Sequence, residues 1–169
     1  MKESAEPKSE EIVALAIEKY QSMLLKYAYS IIGDYTTSQD VVQDVFLKLC
    51  EADYRKVETF LKAWLFKVCR NRAFEILRKE RKMEELTDVK LKMTGSDDPT
   101  PYEEMEKNED FKLINDILKK LPEREREIVC LKYQSNMSYR EISKVADISV
   151  SNVGFILHSA IKRLRAEIL

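Results

Sequence analysis

Glycine and proline are scarce in this chain, which has three Gly and four Pro among its 169 residues. A many-stranded β fold needs these residues at its turns, so their scarcity argues against that class. Long apolar runs are also missing, and no stretch approaches the ~18–20 residues that a membrane-spanning helix requires. The sequence therefore predicts a helical protein that does not insert into a membrane.

Residue types that carry catalysis or bind metals are equally sparse. Cys50, Cys69 and Cys130 have neither metal-site spacing nor the pattern of a disulfide framework, and His158 is the single histidine. No glycine-rich phosphate loop or nucleophile motif occurs. We expect no metal, no cofactor and no catalytic residues, so an enzyme is the weakest interpretation. The unpaired thiols and the polar N-terminus, which lacks a secretory signal, predict a cytoplasmic location.

Charge is distributed in blocks that the net charge of −1 conceals. Residues 60–82 contain eight Lys or Arg against two Glu, and residues 83–110 contain three Lys against ten Asp or Glu. A basic block of this kind favours binding to a polyanion, because a partner responds to the local charge rather than to the net charge of the chain. The acidic block contains Pro99 and Pro101, which oppose a helix, and predicts a flexible linker.

Apolar residues recur at three- and four-residue steps on either side of this linker. The pattern predicts an all-α fold of two small helical domains, with one domain at 10–82, an acidic linker at 83–110 and a second domain at 111–169. Thr37 and Asp40 have the spacing of a capping box, which predicts the start of the second helix.

A helix-turn-helix pattern runs from Ser138 to Leu157. Apolar positions face inward from both helices, and Ser138 is predicted to cap the first one. Asp147 lies in the turn, where Gly is usual, and Asp tolerates left-handed geometry better than most residues. The second helix can lie in a major groove and present its early residues to base edges. A helical hairpin in an ordinary core would give the same apolar pattern.

The basic helix at 60–82 has Phe66, Arg70, Phe74 and Arg78 at four-residue steps. Arginine binds phosphate, and aromatic rings stack on unpaired bases. The alternatives are that the rings belong to the core and that the arginines form a solvated face.

The second helix carries an outer stripe of Asp40, Gln43, Asp44 and Leu47, at spacings of three and four residues. Carboxylates and an amide beside an exposed leucine suit docking on a helix of another protein. The alternative is a solvated surface.

Four segments, in this order, resemble the extracytoplasmic-function sigma factors. They are DVVQDVFLKL at 40–49, FLKAWLFKVCRNRAFEILR at 60–78, LPEREREIV at 121–129 and AIKRLR at 160–165. The resemblance implies a protein that binds core RNA polymerase and directs promoter-specific initiation by recognising and melting promoter DNA. It also implies contacts with the β′ clamp helices and the β flap of polymerase, and an anti-sigma factor as a regulator.

The resemblance assigns 10–82 to region 2 and 111–169 to region 4, and it implies three sets of site residues. The set expected to bind core polymerase is Asp40, Gln43, Asp44 and Leu47. The set expected to bind the −10 element is Asp53, Tyr54, Arg55, Lys56, Arg70, Asn71, Phe74 and Arg78. The set expected to read the −35 element is Ser151, Asn152, Gly154, Phe155, His158, Ser159, Lys162 and Arg163.

The recognition helix departs from the family by having few cations before Lys162. We therefore expect contacts that rely on apolar packing and DNA shape, such as Phe155 against a thymine methyl group. Burial of Phe155 under a protein partner is the alternative. Two other functions stay open: a helical protein-interaction module that titrates an anti-sigma factor, and a helix-turn-helix regulator that acts without polymerase.

Overall fold

The computed structural model describes residues 9–87 and 109–168, and every regular element within those ranges is a helix. The first range contains α1 (Ser9–Ile32), α2 (Tyr35–Glu51), α3 (Tyr54–Val57), a 3₁₀ turn (Glu58–Phe60) and α4 (Leu61–Thr87). The second contains α5 (Glu109–Lys119), α6 (Glu123–Val129), a π-helical turn (Cys130–Gln134), α7 (Tyr139–Ala146) and α8 (Val150–Ile168). The predicted all-helical class is confirmed.

Most of the predicted linker, residues 88–108, lies outside the described residues. At its two ends the helices extend further than predicted, because α4 continues to Thr87 and α5 begins at Glu109. Within the described ranges, no helix combines the length and apolar character that crossing a bilayer requires.

Helices α1, α2 and α4 pack on one another and form the first half of the molecule. Each brings an apolar stripe at helical spacing, so their contact removes these side chains from water. The fully buried side chains at the centre are Leu24, Tyr27, Val41, Val45 and Leu65. This packing leaves the opposite side of α2 exposed.

The junction between α1 and α2 is set by Gly33 and Asp34. Gly33 has a φ of 77°, a left-handed conformation that favours glycine at a helix end. The Asp34 carboxylate then accepts hydrogen bonds from the Thr37 backbone N–H at 2.8 Å and from its hydroxyl at 2.5 Å. The predicted capping box of Thr37 and Asp40 was therefore wrong: Asp34 is the cap, and α2 begins at Tyr35.

Helices α6, α7 and α8 form the core of the second half, with Ile128, Leu131, Ile142, Val153 and Leu157 buried. The π-helical turn at Cys130–Gln134 continues α6, and sequence periodicity gave no sign of it. The chain leaves this turn with the Ser135 N–H donating to the Cys130 carbonyl at 3.1 Å, an interval of five residues.

The two halves pack against each other. Helix α4 contacts α7, and α1 contacts both α6 and the π-helical turn. Lys62 Nζ donates to the Asn136 carbonyl across the boundary at 3.3 Å, and the buried apolar residues of both halves form one core cluster. Part of the surface of α4 is consequently covered by the second half.

Candidate nucleic-acid and polymerase interfaces

The outer side of α2 has the stripe that the sequence predicts. Asp40, Gln43 and Leu47 are exposed, with 60% of Leu47 accessible, and the intervening apolar residues of α2 are buried. Asp44 is half-buried because its carboxylate accepts from Arg72 Nε at 3.0 Å. That ion pair joins α2 to α4 and raises the pKa of Arg72 through the hydrogen bond to Asp44. Asp44 thus has a structural role within the first half.

An open groove of about 600 Å³ runs between α1 and α2 beside this stripe. Gln43 and Leu47 line it together with the apolar side chains of Val13, Ile17 and Phe46. A groove with an apolar floor and polar edges has the shape and chemistry to receive a helix.

The segment between α2 and α4 contains the short helix α3 and the 3₁₀ turn. The Asp53 side chain caps this helix by accepting from the Arg55 N–H at 3.1 Å. Val57 is buried and Tyr54 packs partly against the core, so both anchor the segment. Of the four residues predicted here for the −10 element, Asp53, Arg55 and Lys56 are exposed and Tyr54 is half-buried.

The two rings of α4 that the sequence suggested for base stacking, Phe66 and Phe74, lie in different environments. Phe66 is fully buried and packs on Tyr27, with ring centroids 5.4 Å apart, so it belongs to the core. Phe74 is half-buried, and the Arg70 guanidinium lies 4.7 Å from its ring centroid. Asn71 and Arg78 are exposed on the same part of the helix. Four of these side chains, Arg70, Asn71, Phe74 and Arg78, line one cleft of about 680 Å³.

Arg70 takes part in a contact that sequence analysis missed. Its Nε lies 2.5 Å from Glu127 Oε1, and the Tyr27 hydroxyl donates to the same oxygen at 2.7 Å. Glu127 belongs to α6 and is only 6% exposed. No sequence signal identifies this cluster, because its members are separated by up to a hundred residues and Glu127 ends a run of alternating Glu and Arg that looks like a solvated surface.

Electrostatics agree with this geometry. Burial raises the pKa of Tyr27 well above its ordinary value, and the Glu127 charge adds to that rise. Burial acts to lower the pKa of Arg70, but the hydrogen bond and the charge of Glu127 outweigh it, so the pKa is raised. Tyr27 and Arg70 therefore both keep their protons at neutral pH and both donate to Glu127.

The helix-turn-helix forms as the sequence predicts. Ser138 and Glu141 make a capping box at the start of α7, with distances of 3.1 and 3.2 Å. Asp147 ends α7 with a φ of 56°, in the left-handed region that the turn requires. Ser149 then caps α8 by accepting from the Asn152 N–H at 3.1 Å. These caps fix the angle at which α8 leaves the turn.

The outer face of α8 carries the residues predicted for the −35 element. Ser151, Phe155, His158, Lys162 and Arg163 are exposed, with 72% of Phe155 accessible. Asn152, Gly154 and Ser159 are half-buried on its flanks.

Two members of that set face α6 as well. The Ser159 hydroxyl donates to Glu125 Oε1 at 2.8 Å, and Arg163 Nε lies 3.1 Å from Glu125 Oε2. Phe155 and Lys162 thus provide an exposed apolar group and an exposed cationic group on this face.

The two buried thiols, Cys69 and Cys130, show no sign of nucleophilic chemistry. Burial raises the pKa of Cys69 to about 12 and that of Cys130 to about 11. Both therefore remain protonated at neutral pH, and a thiol in that state is a poor nucleophile.

Both halves match known protein families. Residues 16–83 match sigma-70 region 2, and residues 111–164 match sigma-70, region 4. The chain belongs to the sigma-70 family. The RNA polymerase sigma-E factor of Streptomyces avermitilis is 31% identical over 163 residues, which cover 91% of this chain and 86% of that protein. The ECF RNA polymerase sigma factor SigM of Bacillus subtilis is 25% identical over 150 residues, which cover 88% and 90%.

Solved structures give the same fold. The sigma factor RpoE, in a co-crystal with the anti-sigma factor NepR from Bartonella quintana, aligns with a TM-score of 0.71 at 22% identity, over 92% of this chain and 96% of that one. CnrH, in complex with the cytosolic domain of CnrY, aligns with a TM-score of 0.62 at 21% identity, over 94% and 88%.

This sigma factor is therefore of the extracytoplasmic-function type. It directs transcription initiation, its region 4 helix-turn-helix binds DNA, and RNA polymerase is the partner that the family implies. The chain performs no catalysis of its own, as is usual in this family. The two alternative functions left open by the sequence give way to this conclusion.

Proposed function

We propose that three surfaces divide the work of this sigma factor: the outer face of α2 binds core polymerase, the cleft of α4 holds the −10 strand, and α8 reads the −35 duplex. The observation that carries the proposal is the α4 cleft. It combines the Arg70 and Arg78 cations with the accessible side of Phe74, and these are the groups that grip phosphates and stack on unpaired bases.

The α2 stripe is the proposed contact with the β′ clamp helices. Its support is chemical: an exposed leucine lies among Asp40, Gln43 and Asp44, next to a groove with an apolar floor. Exposed apolar side chains that become buried on binding are frequent sources of affinity at interfaces. Region 4 is proposed to contact the β flap. Helices α3 and α4 are proposed to open the −10 element, because a base taken out of the stack needs a protein pocket to receive it.

A regulator that binds both regions is also part of the proposal. RpoE and CnrH, which share this fold, were each solved with a partner, and the partner of RpoE is an anti-sigma factor. The groove between α1 and α2 is an apolar surface that an anti-sigma helix can enter. Since polymerase is the working partner, we propose that the protein acts in the cytoplasm.

The test is the substitution Leu47→Arg, followed by pull-down of core polymerase and run-off transcription. We expect at least a tenfold loss of polymerase binding, because an interface anchor contributes roughly 2 kcal/mol or more. Leu47→Arg is preferable to Asp44→Arg, which places two arginines together at the Arg72 contact and so disturbs the α2–α4 packing.

Leu15→Arg is the matched control. Leu15 is a leucine of similar exposure, 65%, and it lies on α1 between Val13 and Ile17, on the side away from the groove that those two residues line. We expect normal polymerase binding by Leu15→Arg. Equal binding by both variants would contradict the docking role of α2.

A further inference from the structure

Helix α6 presents carboxylates on two opposite sides. Glu123, Glu125 and Glu127 occupy alternate positions, so the first and the last share a face and the middle one points away from it. Glu125 faces α8, where it binds Ser159 and Arg163. The other two glutamates face α4.

Both glutamates on that face meet arginines of the proposed −10 cleft. Glu127 Oε1 lies 2.5 Å from Arg70 Nε, and Glu123 Oε1 lies 3.5 Å from Arg81 Nη2. Arg70 and Arg81 are three helical turns apart, so they share one side of α4. The cleft between them contains Phe74 and is bounded by Glu123 itself.

The Glu127 contact differs from an ordinary surface ion pair. Its side chain is 7% exposed and that of Arg70 is 23% exposed, whereas exposed pairs are screened and weak. A buried carboxylate is strongly unfavourable without partners, and the two donors, Arg70 and Tyr27, are both supplied by the other half of the molecule. Separation of the halves therefore exposes Glu127 to water and frees Arg70 at the same time.

We infer that the acidic face of α6 is an internal substitute for DNA phosphate: it pairs with arginines of the −10 cleft when the sigma factor is free and must leave them before the strand binds. Region 4 thereby blocks the DNA surface of region 2 through Glu127 and Glu123. This inference rests on the role proposed for the α4 cleft.

The test uses the full chain without polymerase, and Glu127→Gln is the main variant. Glutamine keeps the size of the side chain and removes the charge that holds Arg70. The first readout is the radius of gyration from X-ray scattering, which is about 15 Å for a compact chain of this length. We expect Glu127→Gln to be measurably larger than wild type. This readout involves no DNA and no polymerase.

The second readout is the affinity for a fluorescent, thymine-rich single-stranded DNA, measured by anisotropy. If about one wild-type molecule in ten is open, release of the block tightens binding by roughly tenfold. Glu125→Gln is the matched control, because it removes the same charge from the other side of α6. We expect it to change neither the size nor the affinity for the strand.

Glu123→Gln is a second test variant that should leave the fold intact, because the Glu123 side chain is exposed and its contact with Arg81 is long, at 3.5 Å. It should tighten strand binding in the same direction but by less. A Glu127→Gln chain as compact as wild type overturns the inference, and so does an open chain that binds the strand no better. If Arg78→Ala also leaves strand binding unchanged, the failure belongs to the proposed role of α4.

Discussion

The two faces assigned to promoter DNA differ in charge and in accessibility. The α4 face is rich in arginine, and its Arg70 is held by Glu127 from the other half of the molecule. The α8 face has Phe155 and His158 at its centre, gains cations only from Lys162 onward, and is open to solvent. One chain therefore carries a strongly charged, partly covered surface and a weakly charged, open one.

The difference follows from what each face is proposed to bind. An opened strand offers phosphates and the flat sides of unpaired bases, which cations and rings recognise without base-edge contacts. A duplex offers groove edges and methyl groups, which short polar and apolar side chains read. A cluster of cations attracts any nucleic acid, so covering it reduces unspecific binding, whereas the α8 face needs no such cover.

The largest effect is expected when the Arg78 side chain is removed from the α4 face. We expect Arg78→Ala to slow promoter opening by roughly 10- to 100-fold, because a charge-assisted hydrogen bond contributes about 1.5–3 kcal/mol. The slope of log affinity against log salt should fall by about 0.7 for a lost single-strand phosphate contact. The measurement is open-complex formation by holoenzyme over a range of salt concentrations.

Lys79→Ala is the control for this loss. Lys79 is the neighbouring cation, but its Nζ is 3.1 Å from Glu75 in an exposed ion pair, so we expect almost no effect. An unaltered salt slope in Arg78→Ala would mean that α4 binds no phosphate there.

A second comparison is Lys162→Ala on α8, which should weaken −35 binding at all sequences alike.

A smaller effect is expected at Phe155, and it concerns sequence preference. If the exposed ring packs on a thymine methyl group, replacing that thymine by uracil should weaken wild-type binding several-fold, since base contacts contribute about 1–3 kcal/mol and an apolar one falls at the low end. Phe155→Ala should remove the difference between thymine and uracil.

The measurement is competition between −35 duplexes that contain uracil at one position at a time. Ser151→Ala is the control, because it alters the same face without the ring, and it should keep the discrimination. If Phe155→Ala still distinguishes thymine from uracil everywhere, the ring reads no methyl group, and a protein partner becomes the better assignment for it.

Local chemistry made much of this fold predictable. The cap at Ser138, the left-handed Asp147 and the buried stripe of α8 all depend on residues a few positions apart. The α2 cap failed for a local reason: Asp34 competes with Thr37 and offers a charged acceptor one turn earlier.

The cluster of Tyr27, Arg70 and Glu127 was beyond prediction for a different reason. Its three members come from α1, α4 and α6, and each alone looks like a core aromatic, a surface cation and a solvated acid. Only the packing of the two halves brings them together. The spacing of residues 60–82 predicted a basic face on α4, but nothing in the spacing shows that the second half covers it.

The smallest expected effect is in the turn of the helix-turn-helix, where Asp147 has a φ of 56°. A left-handed conformation costs an ordinary residue about 1–2 kcal/mol and glycine almost nothing. Asp147→Ala should therefore lower the free energy of unfolding by about 1 kcal/mol. In Asp147→Gly, the strain of the left-handed backbone is removed, but glycine has more conformational freedom in the unfolded chain. These two effects oppose each other, so we expect the free energy of unfolding to change by no more than about 0.5 kcal/mol.

Both variants remove the same carboxylate, whose charge contributes to the raised pKa of Arg70, so electrostatic effects cancel between them. Urea unfolding of the two variants then isolates the backbone contribution. Equal stabilities would mean that the turn adjusts to alanine. In that event the caps at Ser138 and Ser149, rather than the left-handed residue, determine the angle at which α8 meets DNA. The orientation of the open α8 face would then depend on side-chain hydrogen bonds, as the covering of the α4 face does.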